Sequence, residues 1–217
     1  MPIRRTSRLN QKKWLKSNKD LKILDLGCSN NNYWPEANHF SDIWDFEEFF
    51  KEKKLNFTKI QPDQKLPFKD KEFDYVICAH VIEHVNDPVM FKSEIERIGK
   101  AGYIELPTRL NDNMVFGCDE EEFGHKWWFE FDDDNQKLIY AKKINAIEKF
   151  VSVGSIFALT EIFQDSFIIQ AHWTDDISLE KRAPYEVKKK IGFLTLIKKY
   201  FSKKIREKIS KVKKLFN

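Results

Sequence analysis

The chain has 217 residues, of which 41% are hydrophobic and 33% charged, and this composition excludes a disordered or fibrous chain. It contains no apolar run close to the roughly 20 residues that a membrane-spanning helix needs, and its basic N-terminus lacks the apolar segment of a secretory signal. The three cysteines, Cys28, Cys78 and Cys118, are widely spaced and odd in number. They favour a reducing compartment over a disulfide framework and predict a cytoplasmic protein.

Charge is distributed unevenly along the chain. Residues 188–217 contain 12 Lys and Arg against one Glu, whereas the remaining 187 residues contain 26 basic and 33 acidic side chains. The sequence therefore predicts an acidic body with a basic tail, and its net charge of +4 does not indicate a nucleic-acid-binding domain.

The first half of the chain alternates short apolar runs with helical patterns. Residues 1–20 form a basic, polar arm, and a helix is predicted over 46–54, with acids early and lysines late, as the helix dipole favours. Buried strands are predicted where apolar runs stop at a glycine, a proline or an acid, at 21–26, 38–41, 56–60, 73–78 and 102–106.

The best-marked helix follows Asp87-Pro88, which supplies an N-cap and a proline at the first helical position. Its apolar residues recur at helical spacing up to Ile98, and Gly99 is predicted as the glycine just beyond the helix end. Strands that alternate with helices predict a Rossmann-like, doubly wound α/β fold with a mostly parallel sheet.

The alternation of predicted strands and helices ends after Pro107. Residues 108–150 are predicted as a cap that contains a hairpin, with strands at 127–131 and 137–140, and a helix is predicted at 156–163. Residues 167–173 and 177–181 are predicted to close the sheet as an antiparallel pair. The predicted domain thus spans 21–184, between the arm (1–20) and a tail (185–217).

Ligands of an open parallel sheet bind at the carboxyl ends of its strands. There the sequence offers Asp25-Leu-Gly27-Cys28 after the first strand, Asp42 with Asp45 as a rival after the second, and Asp63 after the third. A glycine turn followed by acids is the pattern that a nucleoside ligand requires.

At this point the chain resembles the class I S-adenosylmethionine (SAM)-dependent methyltransferases, specifically the type 11 methyltransferase-domain group. The resemblance covers about residues 20–107, and a subgroup shares the abbreviated, asparagine-containing link after the first strand. It implies a seven-stranded sheet, SAM as cofactor and methyl transfer to an acceptor. The matching motifs are Ile23-Leu-Asp-Leu-Gly-Cys28, Asp63-Gln-Lys-Leu-Pro-Phe68, Phe73-Asp-Tyr-Val-Ile-Cys78, His80-Val-Ile-Glu-His84 and Asn86-Asp-Pro88, with His125-Lys-Trp127 further on.

The resemblance also implies roles for single residues. Gly27 would let the backbone approach the methionine part of SAM, and Asp25 would face its amino group. Asp42 would hold the ribose hydroxyls, and Asp63 would accept from the adenine amino group. The full set implied for cofactor binding is Asp25, Gly27, Cys28, Asp42, Asp63, Ala79 and His80. Because the glycine turn continues as Cys28-Ser-Asn-Asn-Asn32, with few glycines, a non-catalytic binding or scaffold module of the same fold stays open as the alternative.

An oxygen acceptor would need a base, and His80, His84 and His125 are the catalytic candidates. The pattern His80-Val-Ile-Glu-His84 also matches an inverted zinc-hydrolase signature, with His125 or His172 as a possible third ligand. The methyltransferase interpretation explains the same residues without a metal, so no metal is assigned. The acceptor pocket is predicted to use aromatic residues, with Tyr33, Trp34, Trp127 and Trp128 as candidates.

The tail carries a basic amphipathic helix, in which apolar residues from Leu194 to Phe216 recur every three or four positions between lysines. It predicts contact with an anionic membrane surface, or docking on the acidic body, with nucleic acid less favoured. Relatives with the abbreviated link suggest a hydroxyl of a saccharide or lipid-linked intermediate as the methyl acceptor.

Overall fold

The computed structural model describes residues 3–114, 124–144, 164–183, 194–195, 197–198 and 200–205. The strands are β1 (Ile3–Arg5), β2 (Ile23–Leu26), β3 (His39–Asp42), β4 (Asn56–Lys59), β5 (Phe73–Ala79), β6 (Gly99–Pro107), β7 (Trp127–Asp132), β8 (Lys137–Lys142), β9 (Ile168–Thr174) and β10 (Leu179–Lys181). The helices are α1 (Arg8–Ser17), α2 (Glu47–Glu52), α3 (Pro88–Ile98), α4 (Arg109–Met114) and α5 (Gln164–Phe167).

Seven strands form the main sheet, in the order β1-β9-β6-β5-β2-β3-β4. The five strands from β6 to β4 are parallel, whereas β9 runs antiparallel to both β6 and β1. The predicted Rossmann-like, mostly parallel seven-stranded sheet with an antiparallel pair is therefore confirmed. The hairpin β7–β8 is also present and forms a second sheet with β10.

The predicted pairing of 167–173 with 177–181 is wrong. After β9 the chain turns at Asp175 and leaves the sheet: Ile177 is buried and its N–H donates to the Glu96 carboxylate. Strand β10 then pairs in parallel with β8. The partner of β9 is instead β1 from the N-terminal arm, where Ile3 lies opposite Trp173 and is fully buried. Three residues with two arginines among them carry too little hydrophobic pattern to be predicted as a strand.

One face of the sheet is covered by α1, α2 and the 27–38 segment. The link between β2 and β3 contains no helix, as its length predicts. The N-terminal helix α1, capped by Ser7, covers this face instead and buries Leu15 beside Trp34 and Phe40. The basic N-terminal arm is thus part of the core beneath the carboxyl ends of the parallel strands, which we call the ligand edge.

The other face packs against α3 and the three-stranded sheet, which bury Phe91, Ile95, Phe129 and Leu138. Helix α3 occupies the predicted residues, with Asp87 accepting from the backbone N–H groups of Val89 and Met90. The helix ends at Ile98 and Gly99 follows it, as predicted, but Gly99 does not adopt the left-handed conformation of a terminal glycine. Gly99 is extended and is the first residue of β6, where a Cβ would lie 2.7 Å from Val76 Cγ2. Close packing explains this glycine, not a left-handed turn.

The described tail residues between 194 and 205 are helical, and Leu194, Phe201 and Ile205 are each more than half exposed. Their apolar side chains are therefore not buried against the body. Among the described helices, none combines the length and the hydropathy that a bilayer crossing requires. The predicted helix at 156–163 and Cys118 lie outside the described residues, while Cys28 and Cys78 are buried free thiols.

Candidate functional site

The backbone of the turn after β2 is closely approached by a neighbouring loop. Gly27 has a φ of +80°, and a Cβ on it would lie 2.4 Å from Val81 Cγ2 in the loop after β5. Only glycine tolerates this combination of a left-handed backbone and contact with a neighbour. The N–H groups of Gly27 and Cys28 both donate to the Ser41 carbonyl, at 2.7 and 3.2 Å, which fixes the turn against β3.

Asp25 lies buried behind this turn. Its Oδ2 accepts the backbone N–H of Trp34 at 2.7 Å, so it holds the 27–38 segment in place. Burial raises the pKa of Asp25 to about 7, although the Trp34 N–H and the positive charge of Arg8 oppose that rise. A carboxyl of this kind titrates near neutrality and is poised to become charged when a cationic group binds beside it.

Asp42, at the end of β3, is oriented by two backbone groups. Its Oδ2 accepts from the N–H of Ser29 at 3.2 Å and its Oδ1 from that of Trp44 at 2.9 Å. Each carboxylate oxygen has a second lone pair with which it can accept from a ribose hydroxyl. The rival Asp45 is exposed and accepts from the N–H of Glu47 at the start of α2. Of the two aspartates, Asp42 is therefore the buried one that backbone groups fix at the strand end.

Asp63 lies in the turn after β4 with a left-handed φ of +54°. Its two carboxylate oxygens accept from the backbone N–H and the side-chain amide of Asn86, at 2.7 and 2.6 Å. The structure thus joins two predicted motifs that are 23 residues apart. Asp63 is exposed, and an adenine amino group would have to share the carboxylate with Asn86.

A buried polar cluster that the sequence analysis missed stands at the end of β6. Glu105 accepts from Tyr103 Oη at 2.5 Å and from Gln170 Nε2 at 3.3 Å, and it forms ion pairs with Arg8 at 3.2 Å and His80 at 3.3 Å. Arg8 comes from the N-terminal arm and His80 from the end of β5. The available signal was a single acid inside an otherwise apolar strand.

His80 follows β5 and Ala79 with a left-handed φ of +58°. Burial alone would lower its pKa, but the Glu105 and Glu83 carboxylates, each 3.3 Å away, raise it to about 10. His80 is therefore an imidazolium at neutral pH and stands as a cationic donor at the ligand edge. A base needs the neutral form, which a cationic His80 does not offer.

His84 and His125 are brought together by the fold, with ring centroids 4.5 Å apart. The Nδ1 of His125 bonds to Asp112 Oδ1, and Asp112 Oδ2 accepts from Trp128 Nε1 at 2.8 Å. His172, the other predicted third ligand, lies elsewhere, with its Nδ1 2.8 Å from Tyr75 Oη. Asp112 was missed because nothing in the cap sequence marks it.

The aromatic candidates divide into two pairs. Tyr33 packs edge-on to Phe40, and Trp34 is buried with the Arg8 guanidinium over its ring at 4.8 Å. Trp127 and Trp128 instead lie in the hairpin. The Nε1 of Trp127 connects the hairpin to the loop after β5 by donating to the Val85 carbonyl at 2.9 Å. Among the described residues these four side chains therefore have packing roles near the edge.

A cavity of about 430 Å³ opens between the hairpin and the β1–β9 side of the sheet. It begins at Thr108, directly after β6, and combines aromatic faces with charged groups. Its lining includes Arg5, Arg109, Phe129, Glu130, Phe131 and Arg182. Arg182 is ion-paired with Glu130 at 3.0 Å, so the cavity offers both donors and acceptors.

Comparisons show which known proteins a part of the chain is similar to. Residues 24–104 match the family model described as a methyltransferase domain, in agreement with the resemblance of this part of the chain. The uncharacterised protein MJ0638 of Methanocaldococcus jannaschii is 28% identical over 163 residues, covering 70% of this chain and 71% of its own.

Solved structures are similar at lower identity. A Thermotoga maritima SAM-dependent methyltransferase, described as a possible histamine N-methyltransferase, is 14% identical with a TM-score of 0.45, covering 77% of this chain and 88% of its own. The YcgJ protein of Bacillus subtilis is 16% identical with a TM-score of 0.38, and the match covers 49% of this chain but only 58% of YcgJ.

Proposed function

We propose that this chain binds SAM at the carboxyl edge of β2, β3 and β5 and transfers its methyl group to a hydroxyl, because residues 24–104 match the family model of a methyltransferase domain. One observation carries the proposal: Gly27, with its left-handed φ, lies between two buried aspartates, Asp25 and Asp42, whose carboxylates are fixed by backbone N–H groups. Asp25, Gly27 and Asp42 thus form an acidic cradle, in which a Cβ at position 27 would not fit.

The residues of the edge suit the parts of such a ligand. Asp25 would hold the ammonium group, Asp42 the ribose hydroxyls and Asp63 the adenine amino group. SAM supplies an electrophilic methyl group, and its transfer is an in-line displacement that depends chiefly on positioning. The chain supplies that positioning through the fixed turn at Gly27 and through the Glu105 cluster. The acidic cradle also favours a sulfonium cation over its neutral product.

The acceptor is proposed to be a saccharide or lipid-linked hydroxyl. The 430 Å³ cavity beside β6 supports this choice, because aromatic faces next to charged donors and acceptors suit a polyhydroxylated ligand. Contact of residues 188–217 with an anionic membrane surface stays a prediction.

Calorimetry with SAM and S-adenosylhomocysteine tests the cofactor site. We expect micromolar binding that Asp42→Ala and Asp63→Ala each weaken at least about tenfold, the loss of one or two charge-assisted hydrogen bonds. Asp45→Ala is the matched control, because this exposed acid lies three residues beyond Asp42 and accepts only from the Glu47 N–H among backbone groups of the described residues. Absence of binding at millimolar ligand would refute the enzyme and favour the scaffold alternative.

A further inference from the structure

Three metal-ligating side chains from distant parts of the sequence meet beside the hairpin. One ligand atom from each of Glu83, His84 and His125 lies within 4.8 Å of the others. Two imidazoles and one carboxylate are the ligand set of Zn²⁺ sites that keep a fourth position open, and also of non-haem iron sites.

Glu83 is the residue that points most clearly to a cation. Its side chain is 0% exposed, and among the described residues neither carboxylate oxygen has a hydrogen-bond partner. The nearest positive group is His80 Nδ1 at 3.3 Å, and His80 is shared with Glu105. His80 partly compensates this buried charge, and an ion between Glu83 and the two histidines would supply the direct partner that the carboxylate oxygens lack.

His125 has the support that metal-bound histidines have. Its Nδ1 bonds to the Asp112 carboxylate, so it would coordinate through Nε2. Asp112 is itself fixed by Trp128 Nε1 at 2.8 Å and by Lys143 Nζ at 3.1 Å. A carboxylate that orients an imidazole in this way sets the ring angle and raises the basicity of the ligand nitrogen.

Backbone and side-chain bonds hold the two ligand-bearing segments in register. The N–H of Lys126 donates to the Glu83 carbonyl at 2.8 Å, and Trp127 Nε1 donates to the Val85 carbonyl at 2.9 Å. Lys126 Nζ also donates to Asn86 Oδ1 at 2.7 Å. The ligands are therefore brought together by the fold itself.

We propose that Glu83, His84 and His125 bind one divalent transition-metal ion of the Zn²⁺ class. The ion ties the loop after β5 to the start of the hairpin and leaves one coordination position open at the ligand edge. The proposal goes beyond methyl transfer and does not depend on it, because it rests on the geometry of these three side chains alone.

The test uses full-length protein without a histidine tag, stripped of metal and dialysed against Zn²⁺ or Co²⁺. We expect about one equivalent of ion per chain by elemental analysis, and with Co²⁺ the visible absorption of a four-coordinate site. Glu83→Gln and His125→Ala should lower the affinity at least tenfold, and Asp112→Asn about 10-fold to 100-fold. His39→Ala is the control, because His39 stands at the opposite end of β3, with its Nε2 bonded to Thr58.

A second measurement separates loss of the site from loss of folding. Glu83→Gln keeps the shape of the side chain but removes its charge, so it should abolish the rise in Tm that Zn²⁺ causes in the wild type, with the Tm of each metal-free protein as the reference. Less than about 0.1 equivalent of bound Zn²⁺, Co²⁺, Mn²⁺ or Fe²⁺, or binding that survives both Glu83→Gln and His125→Ala, would overturn the proposal. SAM titrations of the same samples report on the cofactor site separately.

Discussion

Replacing Asp25 with asparagine should remove a loss of stability that the wild type shows as pH rises toward neutrality. The side chain is 2% exposed, and burial raises its pKa from 3.8 to about 7. Between these values the folded protein keeps a proton that the unfolded chain releases. The contribution of Asp25 to stability is therefore complete below pH 3.8 and is lost as pH rises through 7.

The size of the effect follows from the two pKa values. At 1.36 kcal/mol per pH unit, a rise from 3.8 to about 7 corresponds to about 4 kcal/mol lost between acid and neutral solution. Over the practical range from pH 5 to pH 8 the loss is about 3 kcal/mol. Asp25→Asn keeps an oxygen that can accept from the Trp34 N–H but cannot ionise, so it should not show this loss.

Urea unfolding of wild type and Asp25→Asn at pH 5, 6, 7 and 8 measures the difference directly. The variant should gain about 3 kcal/mol relative to the wild type across this range, while its affinity for SAM falls because the carboxylate that would face the ammonium group is gone. Asp45→Asn controls for loss of an exposed acid from the same neighbourhood. A stability difference between wild type and Asp25→Asn that stays constant with pH would refute the reasoning.

Three further substitutions probe the edge and the sheet. Gly27→Ala should destabilise the protein by about 1–3 kcal/mol in urea unfolding and weaken SAM binding, because alanine would have a left-handed φ and would also collide with Val81. An unchanged affinity for SAM would contradict the role of Gly27 in letting the backbone approach the ligand. Ile3→Ala should cost about 2–4 kcal/mol, since Ile3 is fully buried at the β9 edge, and a cost under about 0.5 kcal/mol would contradict the N-terminal strand. Glu105→Ala should cost about 3–5 kcal/mol by leaving Arg8 without its buried partner, with Glu105→Gln less severe; equal effects of the two variants would argue against the ion pairs.

The sequence alone determined the parts of the fold that local signals encode. Apolar runs that stop at glycine, proline or an acid predicted the five parallel strands, and Asp87-Pro88 predicted the first residue of α3, because capping chemistry acts within one turn. The same local patterns placed Asp25, Gly27 and Asp42 at the carboxyl ends of adjacent strands. Parallel strands bring their carboxyl ends to one edge, so these residues could be grouped before the structure was known.

Only the tertiary structure decided which distant segments meet. Strand β1 has three residues and is held by pairing with β9, some 165 positions further along the chain, so it carries no pattern of its own. Likewise Glu105 meets Arg8, and Glu83 meets His125, through long-range packing that depends on strand order and on the direction of the hairpin. Local propensity depends on neighbours in the chain, whereas these contacts form when whole faces of helices and sheets become buried. No short stretch of the sequence therefore predicts them.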